Sequence, residues 1–190
     1  MNVRTTIVFS SLALIYLATL PLSPYVAQFL PKALPIGVLA VFAYTKLSAM
    51  PRYMVLTALL FSLAGDVSLA LPFADSFITG LACFFLAHLS YAACFANLNR
   101  HKPKALSSDI ISPNVKWLIS LIIVSFTAAM AGHILPASSS LFYPVVAYIS
   151  VITLMGLTAV WLAQTKLIVT GALLFVISDA ILAQSVFKTP

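Results

Sequence analysis

Two aspartates inside long apolar runs are the residues of this chain best suited to chemistry. Asp66 lies in LTALLFSLAGDVSLALPFADSFITGLACFFLAHLSY, residues 56–91, which also carries His88, and Asp179 lies in GALLFVISDAILA, residues 171–183. An ionised carboxylate in hydrocarbon costs about 2.5–3.5 kcal/mol on insertion scales, so acids in such segments usually have a function. Both aspartates are therefore candidate proton donors or acceptors.

The composition requires a membrane around these acids. Hydrophobic residues make up 62% of the 190 residues and charged residues 7%, whereas a soluble domain is about 45–50% apolar. We predict an all-α fold, a polytopic transmembrane helix bundle, with residues 1–190 forming a single integral membrane domain. The seven predicted spans are 5–22, 33–49, 53–71, 76–98, 114–135, 140–164 and 166–187, most of them bounded by prolines.

The distribution of basic residues predicts the orientation. Seven crossings would place eight of the ten Lys and Arg residues on one side, leaving Lys32 and Lys188 on the other, so the N-terminus is expected to be cytoplasmic. The polar stretch 99–113 is then a cytoplasmic loop. The formal net charge of +6 comes from loop residues without a basic helix face, which argues against nucleic-acid binding. In a bacterium the protein would lie in the inner (plasma) membrane.

This topology also predicts the depth of the polar side chains. Asp66 follows Arg52 by 14 residues and Asp179 follows Lys166 by 13, which puts each about 20 Å from the cytoplasmic end of its helix. His88 would lie about 18 Å from the outer end. The three side chains are expected to converge near or just outside the midplane.

Other side chains could assist or merely pack. Ser62 and Gly65 accompany Asp66, and Gly171 and Ser178 accompany Asp179; small residues of this kind allow close helix approach. The structural alternative is that hydroxyl groups satisfy each aspartate, which then only holds helices together. His88 and Tyr91 share one helix face, and Tyr148 shares a face of a different helix with Met155. These residues could be functional or could only pack.

Lys32 directly precedes the second predicted span, on the outer side. Its ammonium could hold a phosphate or could extend along the helix to the interface as an ordinary membrane lysine. Zinc binding by Asp66, Asp179 and His88 is conceivable, but their spacing matches no metal motif. No nucleotide or dinucleotide fingerprint is present in the sequence, and we predict neither metal nor cofactor.

Several motifs, taken together in order, resemble the YhhN family, whose animal relatives are the transmembrane lysoplasmalogenases. They are S-L-A-G-D-V at 62–67, F-F-L-A-H-L-S-Y at 84–91, Y-x6-M at 148–155 and G-A-L-L-F-V-I-S-D at 171–179. The family's Lys-Pro-Leu-Pro is replaced here by Lys-Ala-Leu-Pro at 32–35. Family members usually continue into an eighth span with a Tyr- and Gln-containing motif, whereas this sequence ends at Pro190.

The resemblance implies hydrolysis of the sn-1 vinyl ether bond of lysoplasmalogens, with a lysophospholipid and membrane lipids as partners and an unspecified oligomeric state. Asp66 and Asp179 would be the acid and base. We favour Asp66 as the acid because Ser178 offers Asp179 more hydrogen bonding than Gly65 and Val67 offer Asp66. His88, Tyr91, Tyr148 and Lys32 would bind or orient water, glycerol hydroxyl and phosphate. A proton-coupled carrier and a lipid-sensing membrane protein without turnover remain alternatives.

Overall fold

The chain is all-helical in the computed structural model, which describes residues 3–19, 29–47, 49–100, 111–138, 141–162 and 165–188. Within these ranges no strand occurs, and the prediction of an all-α fold is confirmed. The helices are α1 (Val3–Thr19), α2 (Phe29–Lys46), α3 (Ala49–Ala70), α4 (Ser76–Arg100), α5 (Pro113–Ser138), α6 (Phe142–Leu162) and α7 (Lys166–Lys188).

The helices are apolar on most of their surface, as expected for segments surrounded by lipid. Leu14 on α1, Val41 on α2, Leu60 on α3, Leu121 on α5 and Leu174 on α7 are all more than half exposed. Helices α2 to α7 are long and apolar enough to cross a bilayer, and α1 is a shorter apolar helix of 17 residues. The chain is therefore a multi-pass membrane protein, and the crossing by α1 stays a prediction.

The helices form two compact units, Met1–Ser90 and Tyr91–Pro190, with the boundary inside α4. The first unit holds Asp66 and His88, and the second holds Tyr148 and Asp179. The expectation of a single domain stays a prediction. Each unit has its own packing, and each candidate carboxylate has its own neighbours.

Helix α2 begins at Phe29, four residues before the predicted start at residue 33, so Lys32 lies inside its first turn. Pro31 is the third helical residue, where an N–H has no intrahelical partner, so it starts a helix as easily as it ends one. Pro35 stays inside the helix and is buried. The stretch from Pro21 to Pro31, between the first two predicted spans, is expected to be too short to cross and to lie at the membrane interface; its residues 21–28 lie outside the described residues.

The other boundaries differ by a few residues. Helix α4 continues to Arg100 and α5 begins with Pro113 at its first position, where proline is well tolerated. Most of the predicted loop 99–113 lies outside the described residues. Helix α5 passes through Pro136 to Ser138, so its predicted end at residue 135 is wrong; Ser138 Oγ donates to the carbonyl of Leu135 at 2.9 Å in this last turn.

In the first unit, α3 and α4 approach closely through two glycines. A Cβ added at Gly65 would lie 2.8 Å from the ring of Phe84, and one added at Gly80 would lie 2.8 Å from the side chain of Leu69. Because α3 and α4 run in opposite directions, these two contacts fix one register. That register places His88, one turn beyond Phe84, at the level of Ser62.

The second unit is built on the packing of α6 against its neighbours. One apolar cluster contains Ala92, Ile152, Met155, Ala159, Ala172 and Val176. A second contains Ile123, Val160 and Val169. At one end of this unit Trp161 Nε1 donates to Ser120 Oγ at 3.0 Å, and its ring meets the edge of Trp117 with centroids 5.0 Å apart. These contacts fasten α5 to α6.

Candidate functional site

Asp66 is ion-paired in the first unit. Lys32 Nζ lies 2.9 Å from Asp66 Oδ1, and the two side chains are 22% and 19% exposed. Lys32 is in the first turn of α2, and Asp66 lies four residues before the end of α3 at Ala70. The pair is thus near helix ends, not at the centre of a span, and it is partly open to its surroundings.

The lengths of two antiparallel helices explain why this pair forms. Lys32 precedes Lys46, the last residue of α2, by 14 residues, and Asp66 follows Arg52 in the first turn of α3 by 14. The joint between them is tight, because Arg52 Nε donates to the carbonyl oxygen of Leu47 at 2.7 Å. Two arms of about 21 Å each therefore end at the same level.

Two buried polar side chains lie beside the helix carrying Asp66. Ser62, one turn before Asp66, is 4% exposed, and His88 is 0% exposed. His88 is 12 residues from both ends of α4, so its imidazole is at the centre of that helix. Within the described part of the chain, Ser62 Oγ has no hydrogen-bond partner. The interior of this unit therefore includes polar groups that a purely structural lipid-facing helix pair does not require.

Asp179 is hydrogen-bonded in the second unit. The Tyr148 hydroxyl donates to Asp179 Oδ2 across the α6 and α7 helices. Asp179 and Tyr148 are both half-buried. The small and medium residues Ala159, Ala172 and Val176 pack at this helix pair, which brings the backbones close enough for a tyrosine to reach a short aspartate.

Ser178 and Tyr91 have other surroundings than the sequence suggested. Ser178 is exposed on α7, and the hydrogen bond found for Asp179 comes from Tyr148 instead. Tyr91 packs against the apolar cluster of the second unit and stacks on Phe95 with centroids 6.4 Å apart. A ligand-orienting role for either residue stays a prediction, and the packing of Tyr91 already accounts for its position.

The ion pair changes the argument about which aspartate is the acid. Asp66 was favoured because its sequence neighbours offer little hydrogen bonding, but Lys32 supplies it with a full positive charge. Lys32 is therefore the partner that Gly65 and Val67 cannot provide. Tyr148 likewise gives Asp179 a hydrogen-bond donor on a neighbouring helix. The two carboxylates belong to different units, and their predicted convergence stays a prediction.

In the described ranges, no group of three His, Cys, Asp or Glu side chains is placed to hold a metal ion.

Comparison with curated proteins, solved structures and family sequence models gives one match. No curated protein and no solved structure matches the chain. The sequence model of one family does match, over residues 27–190, a range that includes Lys32, Asp66, His88, Tyr148 and Asp179. The chain belongs to the YhhN family.

Proposed function

We propose that this protein is a membrane hydrolase that cleaves the sn-1 vinyl ether bond of lysoplasmalogens. The products are a fatty aldehyde and glycerophosphocholine or glycerophosphoethanolamine. Membership of the YhhN family, a lysoplasmalogenase-type family, supports a hydrolase. The observation that carries the proposal is that each aspartate accepts from a side chain on a neighbouring helix, Asp66 from Lys32 and Asp179 from Tyr148.

Vinyl ether hydrolysis needs one acid and one base. A protonated carboxyl gives its proton to the alkene carbon that is not bonded to oxygen, and an oxocarbenium ion forms. Water then adds to the carbon bonded to oxygen while the base takes a proton from that water. The resulting hemiacetal collapses to the aldehyde and a free glycerol hydroxyl. An ionised carboxylate both stabilises the cation and accepts the proton.

Asp179 suits the part of the base. Its donor, Tyr148, is neutral, so the hydrogen bond orients the carboxylate without cancelling its charge. A fixed anion is what an oxocarbenium ion requires, because preorganised charge costs no rearrangement during the reaction. Tyr148 is then a positioning residue. Asp66 is the remaining carboxyl and would supply the proton to the alkene.

The test is aldehyde release by the purified protein in detergent. Lysoplasmalogen should give aldehyde, and the saturated alkyl-ether lysophospholipid of the same chain length should give none, because it lacks the alkene that accepts the proton. In D2O the aldehyde, trapped at once by reduction, should carry one deuterium on the carbon next to its carbonyl. Substrate movement across liposomes with no aldehyde in either setting would instead favour the carrier.

A further inference from the structure

The proposed reaction needs a protonated carboxyl, yet each aspartate accepts from a donor on a neighbouring helix. Tyr148 holds Asp179 through a neutral hydroxyl. This hydrogen bond offers no positive charge for which a ligand could compete. Lys32 holds Asp66 through its charge, and an anion can compete for that charge. Of the two carboxylates, Asp66 is therefore the one that an anionic ligand can release.

The location of Lys32 suits such an anion. It lies in the first turn of α2, at the end of a membrane-spanning helix, where lipid headgroups meet the protein. Its side chain is 22% exposed although it is paired, so a ligand can reach it. The phosphodiester of a lysophospholipid carries one negative charge at this level and is a better acceptor for an ammonium than a neutral glycerol.

We propose that the phosphodiester of the substrate displaces Asp66 from Lys32, and that Asp66 then takes up a proton and becomes the catalytic acid. This inference rests on the proposed function. Before binding, the ammonium and the carboxylate neutralise each other. Afterwards the ammonium neutralises the phosphodiester, and one proton from solvent converts the Asp66 carboxylate to the acid. No covalent bond to the protein forms, and charge balances with one proton gained per lipid bound.

Other charged groups around α3 must be distinguished from Asp66. Lys46 lies at the opposite end of α2 and Arg52 at the opposite end of α3. His88 is buried on α4 at the level of Ser62. Asp75, exposed in the turn before α4, lies at the same end as Asp66 because it directly follows α3. Asp75 is therefore the matched control for proton uptake by Asp66.

The experiment measures proton uptake on binding in detergent at neutral pH. The probe is a saturated alkyl-ether lysophosphocholine, which has the phosphodiester but no alkene. Its controls are the alkylglycerol of the same chain length and inorganic phosphate. Calorimetry in two buffers of different ionisation enthalpy gives the protons bound per ligand, and infrared difference spectra show any new protonated carboxyl. About one proton per phospholipid is expected, with none for alkylglycerol.

Variants identify the group that takes up the proton. Substitutions of Lys32 and Asp66 should change the affinity for the phospholipid in opposite directions. Asp66→Asn should abolish the uptake and bind the phospholipid about 2- to 5-fold more tightly, since it no longer competes for Lys32. Lys32→Gln should bind it more weakly and show a protonated carboxyl before ligand is added. Asp75→Asn should behave as the unaltered protein. If Lys32 and Asp66 only stabilised the fold, both Lys32→Gln and Asp66→Asn would bind the phospholipid more weakly.

Several results would overturn the inference. These are failure of the phospholipid to bind, binding without proton uptake, equal uptake with alkylglycerol, or uptake that persists in Asp66→Asn. Uptake with inorganic phosphate but not with the phospholipid would overturn the lipid assignment. The binding experiment measures no turnover, so its outcome does not depend on whether aldehyde is released. Proton uptake without aldehyde from lysoplasmalogen would reject the proposed reaction and leave the phosphate-driven exchange intact.

Discussion

Lys32 at the start of α2 and Asp66 near the end of α3 are each 14 residues from the joint of their helix pair, and their charged atoms lie 2.9 Å apart. Equal arms of an antiparallel pair thus bring a cation and an acid to one end of the membrane-spanning part. The acid therefore lies within four residues of the end of its helix, beside the cation. In the proposed mechanism, this relationship would connect recognition of a phosphate with control of the catalytic proton.

Lys32→Gln should raise the KM for lysoplasmalogen about 10- to 100-fold, because hydrogen bonds to charged groups contribute about 1.5–3 kcal/mol. The matched control is Lys46→Gln, at the exposed far end of the same helix, which should keep the KM of the unaltered protein. Steady-state kinetics in mixed micelles measures both. An equal change in the two variants would show that Lys32 does not meet the substrate.

Tyr148→Phe should lower kcat about 10- to 100-fold with little change in KM, because it removes the donor that orients Asp179 and a hydrogen bond to a charged group contributes about 1.5–3 kcal/mol. The ring is retained, so packing changes little. Tyr143→Phe on the same helix is the control, since Tyr143 is 82% exposed. If kcat is unchanged in Tyr148→Phe, Asp179 does not need this donor and its assignment as an oriented base is wrong.

Gly65→Ala should destabilise the protein by about 1–3 kcal/mol through overpacking. The added methyl group would lie 2.8 Å from two ring carbons of Phe84, and Phe84 is only 5% exposed, so its ring has little room to move. Gly37→Ala is the control because nothing lies within 4 Å of its added Cβ. Thermal unfolding in detergent should show a lower midpoint for Gly65→Ala alone; equal midpoints would contradict the close approach of α3 to α4.

Ser120→Ala should cost the second unit about 0.5–1.5 kcal/mol, the usual net contribution of one hydrogen bond. Trp161 Nε1 donates to Ser120 Oγ at 3.0 Å, and the substitution leaves this indole N–H without that acceptor. Ser125→Ala tests an exposed serine on the same helix. Unfolding monitored by tryptophan fluorescence should distinguish the two variants, and identical curves would argue against the α5 to α6 link.

Hydropathy was sufficient to predict the helices but not the positions where they begin and end. Apolar runs of about 20 residues can satisfy their backbone polar groups in lipid only as helices, and six such helices are present among the described residues. The predicted start of α2 at residue 33 is four residues late, because Pro31 lies at the third helical position, where proline removes no intrahelical hydrogen bond. That difference of four residues moved Lys32 into the helix.

The candidate acids were recognisable from the sequence, whereas their partners were not. An aspartate in an apolar run is conspicuous because of its desolvation cost. Ser178 was expected to serve Asp179 because it is adjacent in sequence, but neighbouring residues on a helix point in different directions, and Ser178 is exposed. The equal 14-residue arms of α2 and α3 were the available signal for the Lys32 to Asp66 pair.

The most direct test of the central claim is aldehyde release from lysoplasmalogen by Asp66→Asn, Asp179→Asn and Asp75→Asn. Asparagine is nearly isosteric with aspartate and also caps helices well, so Asp75→Asn preserves the start of α4. Loss of one acid–base partner should lower kcat about 10²- to 10⁴-fold in the first two variants, while Asp75→Asn releases aldehyde at the rate of the unaltered protein. Folded Asp66→Asn and Asp179→Asn proteins that both kept full turnover would contradict the two-carboxylate mechanism.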